Sequence, residues 1–344
     1  MSRIYCMLMK PIAIDAMGGD QMPDAAVLGA LDASKLGVPV VLVGNQNVLR
    51  PVLEAQEAEL DVVHAEDVIG MEESATDVRR RRQSSVMVGM KLVADGEASA
   101  CVSMGHSGAT MAAALLVLGR LPRVERPAIL ANIPCTGGFT ALIDAGANAD
   151  CRPVHLQQFA VMGSVYARAF YDKENPTVGL MSIGEEPSKG NELTREAHVL
   201  LAGTNGIEFY GNVEGRDLIQ GTTDVVVTDG FTGNVVLKLA EGEARELFRW
   251  IRQALMSSLA ARIGALFVKR ALKRTAARLD PAEYGAQPLL GVDGYAFIGH
   301  GSSDHRAVRN ALLTARRAVE ADLVGKIRSG MAALDPVAVP AADR

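Results

Sequence analysis

Residues 224–234 read DVVVTDGFTGN, and the fold follows from how this stretch is read. Three β-branched valines in succession, without the alternation of a half-solvated strand, predict that 224–228 is a strand buried on both faces. Asp229, Gly230, Thr232, Gly233 and Asn234 then crowd small polar groups at its carboxyl end, and a long helical pattern follows. In parallel α/β sheets that end is where helix N-termini and loop amides converge on a ligand. Some forty residues upstream the arrangement repeats: 177–182 reads as a strand, 184–190 as a turn carrying Lys189, and Asn191 opens a helix. The Lys189 turn and the Asn234 turn are the candidate site.

Working outward, strands are expected at 11–16, 38–43, 61–64, 100–104, 126–132, 139–144 and 207–211. Helical spacing fills 78–94, 110–119, 155–171 and 192–202. Strand and helix in alternation predict a mostly parallel sheet covered by helices on both faces, an α/β class fold with three-layer α/β/α architecture. No repeat, low-complexity tract or linker interrupts the pattern. The expected organisation is therefore one α/β unit over 11–330 carrying a helical hairpin insertion at about 241–280. A short extension at 1–10 and a tail at 331–344 flank it.

Composition narrows the class. The chain has 344 residues, 49% hydrophobic and 22% charged, with a formal net charge of -5, so any site for an acidic partner must be local, and nothing points to nucleic acid. Its four cysteines show no metal-binding spacing and read as reduced thiols, with no zinc site expected. The opening segment is too short and too polar for a signal peptide, and no apolar run approaches the roughly 18 residues needed to span a bilayer. The expected location is the cytoplasm.

Small-residue turns follow nearly every strand: MGGD at 17–20, GHSGA at 105–109, DAGAN at 144–148, KGNE at 189–192, DGFTGN at 229–234 and GHGSS at 299–303. Glycine there admits close backbone approach to an anion. None matches the dinucleotide or Walker A fingerprints, which speaks against NAD or ATP. His64, His155 and His198 read as surface or packing residues, whereas His300 sits in a polar turn and is a candidate ligand contact. No G-x-S-x-G elbow surrounds Ser103 or Ser107, so a covalent acyl-serine is not favoured.

The α/β rhythm stops at 241–280. From Arg245 to Arg278 nine basic residues face one acid, and Leu247, Phe248, Ile251, Leu255 and Leu259 share one helical face. A break near Gly264 is expected, with Ala265, Leu266, Phe267 and Val268 as an apolar tip before a second basic helix carrying Lys269, Arg270 and Lys273. Two readings, which can coexist, follow: the hairpin packs on a dimer partner, and its tip touches an anionic bilayer while Arg262 and its basic faces receive an acidic partner. Arg79, Arg80, Arg81 and Arg82, expected at the start of a helix, form a second basic patch.

In order along the chain, IAIDAMGGD, SSVMVGMKLVADGEASACVSMGHSGA, DAGAN, QQFAVMGSVYA, KGNELT, GNVEGRD, DVVVTDGFTGNVVLK and GHGSS resemble the bacterial phosphate acyltransferases that act on acyl-acyl carrier protein (acyl-ACP) in phospholipid synthesis. The resemblance spans about 12–327. It implies conversion of acyl-ACP and inorganic phosphate to acyl phosphate, a fold related to phosphotransacetylase and isocitrate dehydrogenase-like enzymes, a homodimer, no cofactor and no metal. It also implies peripheral attachment to an anionic membrane surface, beside a downstream glycerol-3-phosphate acyltransferase. The family's catalytic lysine and asparagine fall on Lys189 and Asn234. Asp15, Gly18, Gly19, Asn191, Asp229, Gly230, Thr232, Gly233 and His300 are the expected substrate contacts. His106 and Ser107 depart from the pattern, where Asn and Thr are expected.

The chemistry agrees. Attack of phosphate on a thioester needs a held anion, a donor for the developing oxyanion and a thiolate that leaves without a strong acid. A lysine and a primary amide supply the first two. The rival readings are an NAD-linked dehydrogenase of the related fold, which calls for an aspartate metal cluster and an arginine trio not recognised in the sequence, and a non-catalytic membrane adaptor for lipid-synthesis enzymes.

Overall fold

The computed structural model describes residues 9–334; the extension at 1–10 and the tail at 331–344 lie largely outside them. Eleven strands form one sheet: β1 (Ile12–Asp15), β2 (Val40–Gly44), β3 (Asp61–His64), β4 (Ala100–Ser103), β5 (Ala128–Cys135), β6 (Gly138–Ile143), β7 (Thr177–Met181), β8 (Glu208–Val213), β9 (Val225–Val227), β10 (Ala286–Leu290) and β11 (Ala296–Gly299). Their spatial order is β3-β2-β1-β4-β11-β10-β5-β6-β9-β7-β8.

Helices cover both faces: α1 (Asp24–Lys35), α2 (Gln46–Ala55), α3 (Ser85–Ala94), α4 (Ser107–Val117), α5 (Pro153–Phe170), α6 (Glu192–Ala202), α7 (Gly215–Gln220), α8 (Gly230–Met256), α9 (Leu259–Arg278), α10 (His305–Glu320) and α11 (Leu323–Ala333). Alternate strand residues divide between the two faces. Ile12, Ile14, Val225 and Val227 share a core with α1, α5, α10 and α11, while Val226, Leu142 and Cys101 share one with α3, α4 and α8. Where α5 crosses β9 it does so at Gly163, whose added Cβ would stand 2.6 Å from Val225. The valine run of β9 thus explains both its own burial and the small residue facing it.

Pairing direction sets the position of the site. β1, β2, β3, β4 and β11 are mutually parallel, as are β6, β7, β8 and β9. Between the two groups stand three antiparallel pairings: β11 with β10, β10 with β5, and β5 with β6. Three reversals leave the groups pointing opposite ways. The carboxyl ends of β1, β4 and β11 therefore open on one edge of the sheet, and those of β6, β9 and β7 on the other.

Two expectations are corrected. The arginine run does not start a helix: a 3-10 turn ends at Arg79 and α3 begins only at Ser85. Arg81 is drawn away to Asp67 and Glu73 (2.6 Å to the latter), leaving Arg79, Arg80 and Arg82 exposed. In the hairpin region the break falls at Ser257 and Ser258, not near Gly264, because the Ser258 hydroxyl accepts from Ala261 N–H and starts α9, while a glycine inside a helix costs only about 1 kcal/mol. Leu266 and Phe267 thus lie within α9, 71% and 86% exposed. α8 and α9 contact each other, and α9 buries none of its residues. No described helix is long and apolar enough to cross a membrane.

Candidate active site

The Lys189 turn follows β7 and the Asn234 turn follows β9. Those strands are direct neighbours, and β6, on the other side of β9, brings the 144–148 turn alongside. Three turns thus converge at one edge. Their organising group is Asp144, which is fully buried. One carboxylate oxygen accepts from the N–H groups of Ile129, Gly146 and Ala147 at 2.9–3.1 Å, the other from Asn148 N–H and Nδ2 at 2.7 and 2.8 Å. Burial pushes this carboxyl up, and the donors pull the other way. Since every neighbour donates, the ionised form suits the geometry.

Asn148 in turn receives Gly230 N–H on its carbonyl at 2.7 Å, and its amide donates to Pro127 O at 2.7 Å. The DGFTGN turn is therefore held against the DAGAN turn by backbone contacts. Asp229 caps α8, accepting from Thr232 N–H and Oγ1 at 2.8 Å each. Asn191 caps α6 through Thr194 N–H at 2.9 Å. These side chains, expected as substrate contacts, shape the helix starts next to Lys189 and Asn234. Both of the latter are exposed. Gly190 takes φ +97°, which turns the chain from Lys189 into α6. Ser182, at the end of β7, has a buried hydroxyl without a hydrogen-bond partner among the described residues.

The remaining expected contacts gather on the opposite edge. Asp15 accepts from Met17 and Gly18 N–H at 3.1 Å and from the Ser103 hydroxyl at 2.8 Å, so Ser103 is a structural donor. Gly18 packs against Gly105, and Gly19 N–Cα turns past Met104 and Gly301 with φ +119°. His300 is exposed and its Nδ1 meets Ser302 Oγ at 2.9 Å. His106 caps α4, its Nδ1 accepting from Ala109 N–H at 3.2 Å, the service an asparagine would perform there. Among the described residues no hydrogen bond or ion pair joins this set to the Lys189 and Asn234 turns. The expected contacts thus fall in two groups, at opposite edges of the sheet.

Sequence reading missed a cleft beside the DAGAN turn. Open and about 710 Å³, it is lined by Leu115, Arg120, Glu125, Arg126, Pro127, Arg152 and His155. Arg120, Glu125 and Arg126 are close in sequence, but Arg152 and His155 join them only through the fold. His155 is buried, and its Nδ1 accepts from Arg152 N–H at 3.1 Å, so the ring proton resides on Nε2 and points to Glu125 at 3.2 Å. Burial, aided by Arg152 and Arg126, holds His155 below its ordinary range. Of the histidines read as packing or surface groups, His198 rests against Phe209 and Asn212.

Comparison with known proteins fits this geometry. Residues 10–326 match the family model described as "Fatty acid synthesis protein". A phosphate acyltransferase of Thermus thermophilus is 60% identical over 323 residues, covering 94% of this chain and 99% of the relative. One from Deinococcus radiodurans is 55% identical, covering 79% and 77%. Among solved structures, a phosphotransacetylase from Streptococcus pyogenes superposes with a TM-score of 0.62 at 17% identity, covering 93% of this chain and 100% of that one. A 4-hydroxythreonine-4-phosphate dehydrogenase from Klebsiella pneumoniae gives 0.51 at 13%, covering 91% and 98%. At such identities the likeness is one of fold alone, and the three-layer α/β/α architecture is common to them. The extent and identity of the sequence matches decide the family: the chain belongs to the bacterial phosphate acyltransferases, and it is an acyltransferase.

Proposed function

We propose that the protein transfers a fatty acyl group reversibly from acyl-ACP to inorganic phosphate, giving acyl phosphate for phosphatidic acid synthesis. The observation that carries this is the placement of the Lys189 and Asn234 turns on neighbouring parallel strands, beside the turn organised by Asp144. A phosphate oxygen attacks the thioester carbonyl, the C–S bond breaks, and the carrier leaves as thiolate. The Lys189 ammonium neutralises the anion, and the Asn234 amide donates to the oxyanion of the tetrahedral intermediate. No enzyme nucleophile takes part.

The same reading makes the protein a homodimer in the cytoplasm that rests on an anionic membrane, where a glycerol-3-phosphate acyltransferase would consume its product. Support for the membrane contact comes from α9, with Leu259, Ile263, Leu266 and Phe267 exposed among Arg262, Lys269, Arg270 and Lys273. Those basic residues and the exposed Arg79, Arg80 and Arg82 suit acidic ACP. The deciding assay combines purified protein, acyl-ACP and phosphate and follows acyl phosphate and free ACP. Absence of both products would overturn acyl-ACP and phosphate as the substrate pair.

A further inference from the structure

We infer that the cleft of Arg120, Arg126 and Arg152 is a subsite for a substrate's phosphate group, with Arg126 as its principal ligand; this rests on the reaction proposed above. Three arginines line the cleft against one carboxylate, Glu125. That carboxylate is already engaged by Arg152 and by His155 Nε2, and Arg120 donates to the Glu125 carbonyl. Arg126 differs from both: it is exposed and makes no hydrogen bond or ion pair among the described residues. Its guanidinium presents a planar fork matched to two oxygens of one phosphate.

Position supports the assignment. Arg126 precedes Pro127, whose carbonyl holds the Asn148 amide. Asn148 holds Gly230, and Asn234 lies one helical turn further on. An anion on Arg126 is thus only a short chain of contacts away from the proposed oxyanion donor. The cleft's size also fits, since clefts of roughly 300–1,000 Å³ accommodate small molecules and leave room for more than one phosphate-bearing group. Two sources share that chemistry: the acceptor, inorganic phosphate, and the phosphodiester of the phosphopantetheine arm on which ACP carries the thioester. Leu115, on one wall, offers an apolar surface to the stem of such an arm.

The test uses Arg126→Ala, Arg126→Lys and Arg120→Gln in the full-length protein. KM is measured separately for phosphate and for acyl-ACP, and binding of inorganic phosphate without donor is followed by 31P NMR line broadening. Loss of a charge-assisted contact should raise one KM roughly ten- to hundredfold, with kcat less affected and partial recovery in Arg126→Lys. A rise for phosphate together with lost 31P broadening identifies the acceptor as the occupant; a rise for acyl-ACP alone identifies the carrier arm. Unchanged KM values for both substrates in Arg126→Ala and Arg120→Gln, in a wild type that turns over, would overturn the subsite and leave the reaction intact. A wild type that shows no turnover but binds phosphate through Arg126 would overturn the reaction and leave the subsite. If it neither turns over nor binds phosphate, both fall.

Discussion

Gly233 sits directly beneath the backbone of Asp144: a Cβ added to Gly233 would stand 1.8 Å from the Asp144 carbonyl oxygen and 2.9 Å from its carbonyl carbon. No rotamer relieves a clash with backbone, so Gly233→Ala must push α8 away from the 144–148 turn. A cost of about 3 kcal/mol, the upper end of ordinary overpacking, is expected, together with loss of turnover because Asn234 moves with the helix. Gly242, in the same helix, has nothing within 4 Å of an added Cβ. Gly242→Ala should leave turnover unchanged and favour the helix by about 0.5–1 kcal/mol. Urea unfolding and acyl phosphate formation, measured on both variants, check the contrast.

Lys189, in the turn before α6, and Asn234, the fifth residue of α8, are both exposed, so neither side chain is needed for the core. Lys189→Ala and Asn234→Ala should each lower kcat by about a hundredfold or more, as loss of an oxyanion-type donor does, with unfolding midpoints close to wild type. Turnover within a few-fold of wild type in either variant would remove that residue from the mechanism.

Cys151 lies beside the 144–148 turn, its sulfur 3.7 Å from Asn148 O. Burial, with Asp144 close by, pushes it up to about 12, so at neutral pH it is a thiol and a poor nucleophile. Enzyme quenched during turnover should carry no acyl adduct by mass spectrometry, and Cys151→Ser should retain turnover. An adduct on Cys151, Ser103 or Ser107 would replace direct attack by phosphate with a two-step route.

Much of this was legible because the information is local. The valines of β9 name a buried strand, and the small residues after β7 and β9 mark their turns. Sheet direction was not legible, since it depends on β10 and β11, short segments far along the chain. β10 also carries Pro288, which reads as a strand breaker. Without them the reversal between the two parallel groups is invisible, and so is the placement of Asp15, Gly18, Gly19 and His300 on the edge opposite Lys189. Asp144 looked like one more turn aspartate, because burial of its carboxylate under five donors is a tertiary fact. The arginine cleft was hidden for the same reason. The hairpin break was misplaced because glycine was weighted above the serine that caps the second helix.

His155 gives the site a pH signature. Its folded-state value lies below the unfolded value of 6.5, so below about pH 6.5 the unfolded chain binds more protons than the native one. Stability then rises with pH and is lost as pH falls from about 6.5 toward the folded value. Thermal unfolding between pH 7.5 and 5.5 should show a decline that is reduced in His155→Gln. Equal declines in the two proteins would assign the effect to other groups.

The membrane reading now rests on the length of α9 instead of a tip at 265–268. Leu259, Ile263, Leu266 and Phe267 recur at helical spacing on this helix and all are exposed, while Arg262, Lys269, Arg270 and Lys273 supply charge along it. Burying Leu266 and Phe267 partially in the headgroup region contributes about 3 kcal/mol between them. Each basic residue at an anionic surface adds about 1 kcal/mol, a term that salt screens. Binding should therefore favour anionic over zwitterionic vesicles and weaken with ionic strength. Replacing Leu266 and Phe267 with Glu removes the apolar term and adds like charge toward the lipid, so the variant should no longer sediment with anionic vesicles. At saturating soluble acyl-ACP kcat should persist, with the added negative charge read only in KM for acyl-ACP, because α9 buries nothing and the Lys189 and Asn234 turns are built on the sheet. If the double variant loses its oligomeric state and its turnover together, α9 is a packing surface between copies of the chain, and its exposed apolar row faces protein instead of lipid.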